Sequence, residues 1–144
     1  QEAAQSFQAM AASRQQTFSM DIASALFVRG DRKDLGRLLS ILLDNAVKYC
    51  LPQGYIHLTL KQTGKYLCLK LTNTAQSIHP SDLPHLFDRF YRTDTSRNSE
   101  TGGYGIGLSI ANAVAGAHKG RISAATEDGT SLTITVLLPA AQHP

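Results

Sequence analysis

The chain has 144 residues, of which 42% are hydrophobic and 17% are charged, a composition typical of one globular domain and unlike that of a disordered chain. Its 14 Lys and Arg residues against 11 Asp and Glu residues give a net charge of +3, too small and too scattered to indicate a nucleic-acid partner. No apolar run reaches the roughly 18 residues of a membrane span, and no signal-like segment opens the chain. We therefore expect a cytoplasmic fragment. Because it begins at Gln1 without a Met, we interpret it as part of a longer protein.

The N-terminal half predicts one strand, one short extended piece and one long helix. Residues 1–16 are rich in Gln and Ala and form a lead-in, either the tail of a helix or a frayed segment, before a main domain at 17–144. "TFSMDI" (17–22) alternates as a half-buried strand does, and "LFVRG" (26–30) predicts a second extended piece. Asp31 is placed to cap a helix from Lys33 to about Tyr49, in which leucines recur at spacings of three and four.

The C-terminal half predicts two hairpins that flank a loop and a helix. "YIHLTLKQ" (55–62) and "YLCLKLTN" (66–73) form the first hairpin, and Pro80 starts one or two helical turns. An exposed loop at 92–104 precedes a helix from about Gly105 to Ala117, and "GRISAATED" and "SLTITVLLP" close the chain as antiparallel strands. The order predicts an α+β two-layer sandwich, a mixed and mostly antiparallel sheet covered by about three helices.

The two cysteines are Cys50 and Cys68. Neither belongs to a C-x-x-C pair or lies near clustered histidines, so we predict buried small apolar residues rather than a redox or metal site.

The glycine cluster "GGYGIGL" (102–108) allows two interpretations. A glycine-rich turn that opens a helix offers unpaired N–H groups and a positive dipole to a phosphate. The alternative is a flexible loop end that only permits a tight turn. The spacing is neither a dinucleotide fingerprint, since no strand precedes it, nor a Walker A loop, since Leu108 stands where Lys is required.

Four segments together resemble the ATP-binding catalytic domain of bacterial sensor histidine kinases. "LLSILLDNAVKY" (38–49), "LPHLFDRFYRTD" (83–94), "GGYGIGLSIANAVAGAHKG" (102–120) and "GTSLTITVLLP" (129–139) look like its N, F, G2 and C-terminal motifs, in the family's order. The resemblance spans about residues 17–139. It implies the fold of the superfamily that includes DNA gyrase, with ATP between the helical layer and a mobile lid formed by 92–104.

The resemblance implies roles for five residues of the N and F motifs. Asn45 matches the asparagine that coordinates Mg²⁺, and Lys48 matches a lysine that reaches the phosphates. Tyr49 matches an aromatic position near adenine, although an ordinary core-edge role is as compatible with the sequence. Arg89 and Arg92 are candidates to contact the terminal phosphate, Arg89 being favoured, since planar guanidinium groups suit phosphate oxygens. The implied cofactors are ATP and Mg²⁺.

The glycine-rich motif and the last motif supply further candidate nucleotide contacts. Thr130 follows Gly129 as in the family's "GT" pair, where the hydroxyl supports a water that binds the base; it could equally be a routine strand threonine. The candidates from the glycine-rich motif are Gly103, Tyr104, Gly105, Ile106, Gly107 and Leu108.

The segment after the second hairpin strand departs from the family pattern. The family has D-x-G-x-G there, whereas this chain has "NTAQS" from Asn73 to Ser77, followed by Ile78. We expect Asn73 to bind the base, with Ala75 and Ile78 beside it, because an amide oxygen still accepts from the adenine amino group. An amide, unlike a carboxylate, can also turn over, accept from the ring N–H of guanine and donate to its carbonyl. We therefore hypothesise a weakened preference for adenine over guanine.

The partners follow from a histidine that the chain lacks. None of the five histidines has the family's phosphoacceptor context, so the γ-phosphate is expected to pass to a separate dimerisation and phosphotransfer domain of the same protein. Residues 1–16 could be the end of the last helix of that domain. A response regulator would act downstream. We expect a monomeric fragment of a homodimeric parent that could be anchored in the cell membrane. Two alternatives stay open, namely a nucleotide-independent pseudokinase docking module and a serine kinase of the anti-sigma type.

Overall fold

The computed structural model describes residues 2–75, 78, 80–88 and 107–141, and three α-helices and five strands lie in these ranges. In chain order they are α1 (Glu2–Ser13), β1 (Thr17–Ile22), α2 (Arg32–Tyr49), β2 (Tyr55–Thr63), β3 (Tyr66–Thr74), a 3₁₀ helix (Pro80–His85), α3 (Gly107–Ala117), β4 (Arg121–Ala125) and β5 (Ser131–Pro139).

The five strands form one mixed sheet in the order β1-β2-β3-β5-β4. β1 and β2 are parallel, and the other neighbouring pairs are antiparallel. In β3, Asn73 lies opposite Ile56 of β2 on one side and Leu132 of β5 on the other. The end of β3 and the start of β5 therefore meet at the same edge of the sheet. The predicted α+β architecture is confirmed.

The core lies between the three helices and one face of the sheet. The strands alternate between buried and more exposed residues, as expected where one face of a sheet is covered and the other meets water. Burying each leucine of this layer contributes about 1.5–3 kcal/mol. The buried apolar residues of α2 are Leu38, Leu42, Leu43, Ala46 and Val47, and those of the central strands include Ile56, Leu58, Leu69, Leu71, Ile134 and Val136.

The lead-in before β1 forms a helix that packs against α2. Ala4 and Ala11 of α1 are buried in the common core. After this helix, the side-chain Nε2 of Gln16 donates to the carbonyls of Val47 and Cys50, each at 3.1 Å. Gln16 thus satisfies carbonyl groups that the end of α2 would otherwise leave unpaired. The proposed division of the chain at residue 17 stays a prediction.

The predicted short extended piece between β1 and α2 pairs with the end of β5 over a minimal length. "LFVRG" forms no strand, and its ladder consists of one bridge between Val28 and Ala140. The chain turns into α2 directly afterwards, which leaves no length for further pairing. The predicted cap is confirmed, because the Asp31 carboxylate accepts a 3.0 Å hydrogen bond from the Asp34 N–H.

Replacing Gly120 with alanine should destabilise the domain by about 1–3 kcal/mol, the usual cost of overpacking. A Cβ there would overlap the carbonyl oxygen of Leu137 and lie 2.8 Å from Cδ2 of Leu138, and a backbone oxygen in the sheet has little freedom to move. The free energy of unfolding in urea measures the effect. Gly116→Ala is the matched control, since its Cβ meets nothing within 4 Å and helix propensity favours alanine by up to about 1 kcal/mol. Equal stabilities of the two variants would contradict the prediction.

Candidate functional site

The first half of the candidate site lies where α2 meets the N-terminus of α3. Asn45 is half-buried on α2, and its side-chain Nδ2 donates to the carbonyl of Ile41, one turn earlier, at 3.1 Å. Gly107 is the first residue of α3, and a Cβ added there would lie 3.4 Å from Cγ2 of Ile41 and 3.9 Å from Nδ2 of Asn45. The structure therefore places the amide of Asn45 beside the start of α3.

This arrangement has the chemistry of a phosphate and Mg²⁺ site. The first turn of a helix has N–H groups without intrahelical acceptors and carries the positive end of the helix dipole, so it attracts anions. Because Nδ2 of Asn45 donates to a carbonyl, Oδ1 is the atom of this amide that is left to bind a ligand. Mg²⁺ prefers hard oxygen ligands, keeps several waters and takes only one or two protein ligands, a demand that one amide oxygen beside bound phosphates would fit.

The last turn of α2 carries Lys48 and Tyr49. The ammonium group of Lys48 lies 3.0 Å from the carboxylate of Asp44, and both side chains are about 40% exposed, at 39% and 40%. An exposed pair of this kind contributes little stability, so Lys48 loses little by turning to another anion. Tyr49 is half-buried as the last residue of the helix.

The second half of the site begins with Asn73, which is only 4% exposed. Its Nδ2 donates to the carbonyl of Thr74 at 3.0 Å, and the same carbonyl accepts from the N–H of Leu51 at 3.3 Å. Oδ1 of Asn73 has no hydrogen-bond partner among the described residues, and since it is not one of their fully buried unpaired atoms, it is accessible to a ligand although the residue is buried. The buried end of β3 therefore presents an unused hydrogen-bond acceptor.

The segment after β3 is fastened to the turn before β5. The N–H of Ala75 donates to the carbonyl of Thr130 at 2.8 Å, and that of Ile78 donates to the carbonyl of Gly129 at 2.7 Å. Gly129 has φ of +78°, a conformation that suits glycine. The Thr130 N–H donates to the carboxylate of Asp128 at 2.9 Å, and this bond lowers the pKa of Asp128. Thr130 is thus held beside Ala75.

A protein-family model matches the part of the chain that contains this arrangement. The model described as "Histidine kinase-, DNA gyrase B-, and HSP90-like ATPase" matches residues 30–142. The chain belongs to this ATPase family. The match covers most of the chain, including both halves of the site.

The relatives of this ATPase domain are sensor histidine kinases. The chain is 37% identical over 128 residues to the signal transduction histidine-protein kinase BaeS of Escherichia coli strain K12. This alignment covers 89% of this chain and 27% of the relative. It is also 36% identical over 135 residues to the phosphate regulon sensor protein PhoR of Pseudomonas aeruginosa. This alignment covers 94% of this chain and 30% of the relative. The chain therefore spans less than a third of the length of these two relatives.

Solved structures show the same fold. The mycobacterial sensor histidine kinase MprB superposes with a TM-score of 0.86 at 24% identity, over 99% of this chain and 93% of that one. The catalytic domain of histidine kinase ThkA superposes with a TM-score of 0.83 at 21% identity, over 96% of this chain and 88% of that one. Together with the relatives, this confirms the predicted ATP-binding domain of the sensor histidine kinase type.

Part of the predicted site lies outside the described residues. The described member of the glycine-rich motif besides Gly107 is Leu108, which is half-buried and packs against the core. The predicted helix there begins at Gly107 in the structure. The predicted site residues that lie outside the described ranges are Arg89, Arg92, Gly103, Tyr104, Gly105 and Ile106, and the rest of the predicted lid at 92–104 also lies outside them.

Two residues that position this ATPase site were missed by the sequence prediction. Thr74 orients the Asn73 amide through its carbonyl, a role that no side-chain pattern reveals. Asp128 orients Thr130, and here a signal existed, because an Asp-Gly pair is typical of a turn in which the carboxylate binds the backbone two residues on.

Of the two cysteines, Cys50 lies beside Thr74, the residue that orients the Asn73 amide. The Cys50 thiol is buried and donates to the carbonyl of Leu51 at 3.4 Å or of Tyr55 at 3.5 Å, and burial raises its pKa. Cys68 is only half-buried, because its side chain lies on the open face of the sheet. The prediction that both cysteines are buried is therefore correct in part.

In the described ranges, no helix has the length and apolar character needed to cross a membrane.

Proposed function

We propose that the chain binds Mg-ATP between α2, the start of α3 and the joined ends of β3 and β5, and supplies the γ-phosphate to a histidine on a separate domain. The observation that carries this proposal is the meeting of the Asn45 amide with Gly107, whose added Cβ would lie 3.9 Å from Nδ2 of Asn45, because it brings a side-chain amide close to an anion-attracting helix terminus. The sensor-kinase names of the relatives support the reaction class.

The proposed roles follow the chemistry of each group. Asn45 would hold Mg²⁺, which supplies charge neutralisation to the phosphates when bound. Lys48 would leave Asp44 and pair with phosphate, together with Arg89 and Arg92. Phosphoryl transfer needs little covalent help from a protein, so positioning and charge stabilisation by these side chains would account for most of the catalysis.

The base would lie at the second half of the site. Oδ1 of Asn73 would accept from the adenine amino group, with Tyr49, Ala75 and Ile78 beside the ring. Thr130 would support a bound water. The glycine-rich segment that leads into α3 would close over the phosphates.

The phosphoacceptor would come from another domain. In the described ranges, His57 bonds to Ser19 at 2.6 Å and His85 to Asp88 at 3.0 Å, so both imidazoles have ordinary structural partners. A dimerisation and phosphotransfer domain of the same protein is the proposed acceptor, with a response regulator downstream and a homodimeric parent. We place this domain in the cytoplasm.

Calorimetric titration with ATP tests the proposal. We expect saturable binding with a dissociation constant below about 1 mM, in the usual range for enzyme substrates, and weaker binding when EDTA removes Mg²⁺. Absence of heat and of saturation at millimolar Mg-ATP would overturn the proposal and favour a pseudokinase.

A further inference from the structure

A second concave site lies at the other end of α3. It is a cleft of about 760 Å³ between residues 29–30 before α2, residues 117–119 at the end of α3 and residues 139–141 at the end of β5. The 11 residues of α3 span about 16 Å at 1.5 Å per residue, which separates the cleft from Gly107. It is therefore distinct from the nucleotide site.

The charges at this cleft have one sign. Arg29, His118 and Lys119 are its titratable lining residues, and no acidic residue belongs to the lining that the structure describes. Arg29 and Lys119 are exposed, and within the described ranges neither has an ion-pair partner. The nearby carboxylate of Asp31 is turned into the first turn of α2, where it accepts from the Asp34 N–H.

The walls of the cleft are held by hydrogen bonds before any ligand arrives. His118 accepts from the Asp31 N–H through Nε2 at 3.1 Å and donates through Nδ1 to the Val114 carbonyl at 2.8 Å. Gly30 packs so closely on this ring that a Cβ there would lie 2.6 Å from Nε2. The imidazole thus joins the end of α3 to the start of α2.

The floor of the cleft is also fixed. The N–H of Ala140 donates to the carbonyl of Lys65 at 2.8 Å, and that of Ala141 donates to the carbonyl of Phe27 at 2.7 Å. These two N–H groups are therefore not available to a ligand, and Pro139, Ala140 and Ala141 contribute aliphatic surface to the floor. A fixed shape lowers the ordering cost of binding.

We propose that this cleft binds an acidic segment of polypeptide chain. Carboxylates of the segment would pair with Arg29 and Lys119, and its aliphatic groups would pack on Pro139, Ala140 and Ala141. The volume of about 760 Å³ lies within the roughly 300–1,000 Å³ typical of ligand sites and exceeds the need of a single inorganic anion. The charge and the apolar floor together favour a peptide.

Fluorescence anisotropy with two labelled hexapeptides tests this proposal. One carries four Glu residues and the other carries Gln at the same positions, and saturating Mg-ADP is present throughout to block the phosphate site. We expect the 144-residue chain to bind the Glu peptide and not the Gln peptide. Arg29→Gln with Lys119→Asn should weaken this binding at least tenfold; Asn is chosen because Lys119 has φ of +61°, a region that asparagine tolerates.

A charge-matched variant separates site binding from general attraction. Arg37→Gln with Lys70→Gln removes two exposed cations elsewhere, so both double variants have a net charge of +1, two below the +3 of the chain. We expect less than a twofold change for this control. Equal weakening by both double variants, no binding by the unmodified chain, or complete displacement by 10 mM inorganic phosphate, which would indicate a small-anion site, would each overturn the proposal.

Discussion

Replacing Asn45 with alanine is expected to lower Mg²⁺-dependent phosphoryl transfer by about 100-fold or more, the scale found when one preorganised charge-stabilising group is removed from an active site. The variant loses the side-chain amide that lies beside the start of α3 and, with it, the oxygen proposed to hold Mg²⁺. Incorporation of the γ-phosphate into the full-length kinase measures transfer, and calorimetry with and without EDTA measures Mg²⁺-dependent nucleotide binding.

The loss should be specific to the site and not to the fold. Truncation of Asn45 removes one hydrogen bond, to the Ile41 carbonyl, which contributes about 0.5–1.5 kcal/mol, so the domain should remain folded. Asn112→Ala is the matched control, because Asn112 is an exposed residue of α3 and its truncation should leave transfer unchanged. If Asn45→Ala transfers phosphate at the unmodified rate, Asn45 does not hold the metal.

Replacing Asn73 with leucine is expected to lower ATP affinity by about 10- to 100-fold, because a site built to bond a polar group of a ligand discriminates strongly once one partner is lost. Leucine has a similar size, and its neighbours across the sheet are Ile56 and Leu132, so the strand should tolerate it. Asn73→Asp retains an acceptor and should weaken binding less. Competition of unlabelled ATP against a labelled analogue measures both, and equal affinities of the leucine variant and the unmodified chain would contradict the role.

The orientation of the Asn73 amide also changes the expected base preference. Rotating the amide would replace its bond to Thr74, 3.0 Å long, with two oxygen acceptors facing each other. With Nδ2 held by Thr74, Oδ1 would face the base in the proposed site, as a carboxylate oxygen would, and guanine would present its own carbonyl oxygen there. We now expect ATP to be preferred over GTP, in place of the weakened preference that the sequence suggested. Similar affinities for the two nucleotides would refute this revision.

The helix α2 and the hairpins could be predicted because their signals are local. Leucines repeat along one face from Leu35 to Leu43, Asp31 carries the capping side chain, and the strands alternate with period two. Each pattern reflects a partition between core and water that repeats within a few residues. At "LFVRG" the pattern predicted a short extended piece but not its pairing, one bridge from Val28 to Ala140, because pairing depends on which strand has an unpaired side nearby.

The packing of α1 was also beyond prediction. Ala4 and Ala11 are small residues in a segment rich in glutamine, and only their contact with α2 makes them part of the core. A stripe of alanines predicts a close helix contact only when the partner is known.

The sequence by itself determined the family of the chain and the candidate chemical groups of the site. The order of four motifs indicated the ATPase family, and the resemblance to that family named Asn45, Lys48, Asn73 and Thr130 as candidates. The tertiary structure decided how these groups are arranged, through the meeting of the Asn45 amide with Gly107 and through the bond that the Asn73 amide makes to the Thr74 carbonyl. The amino-acid sequence fixes the chemistry of each side chain. The orientation of a side chain depends on hydrogen bonds and packing between segments, and the register of these segments is set only in the folded sheet.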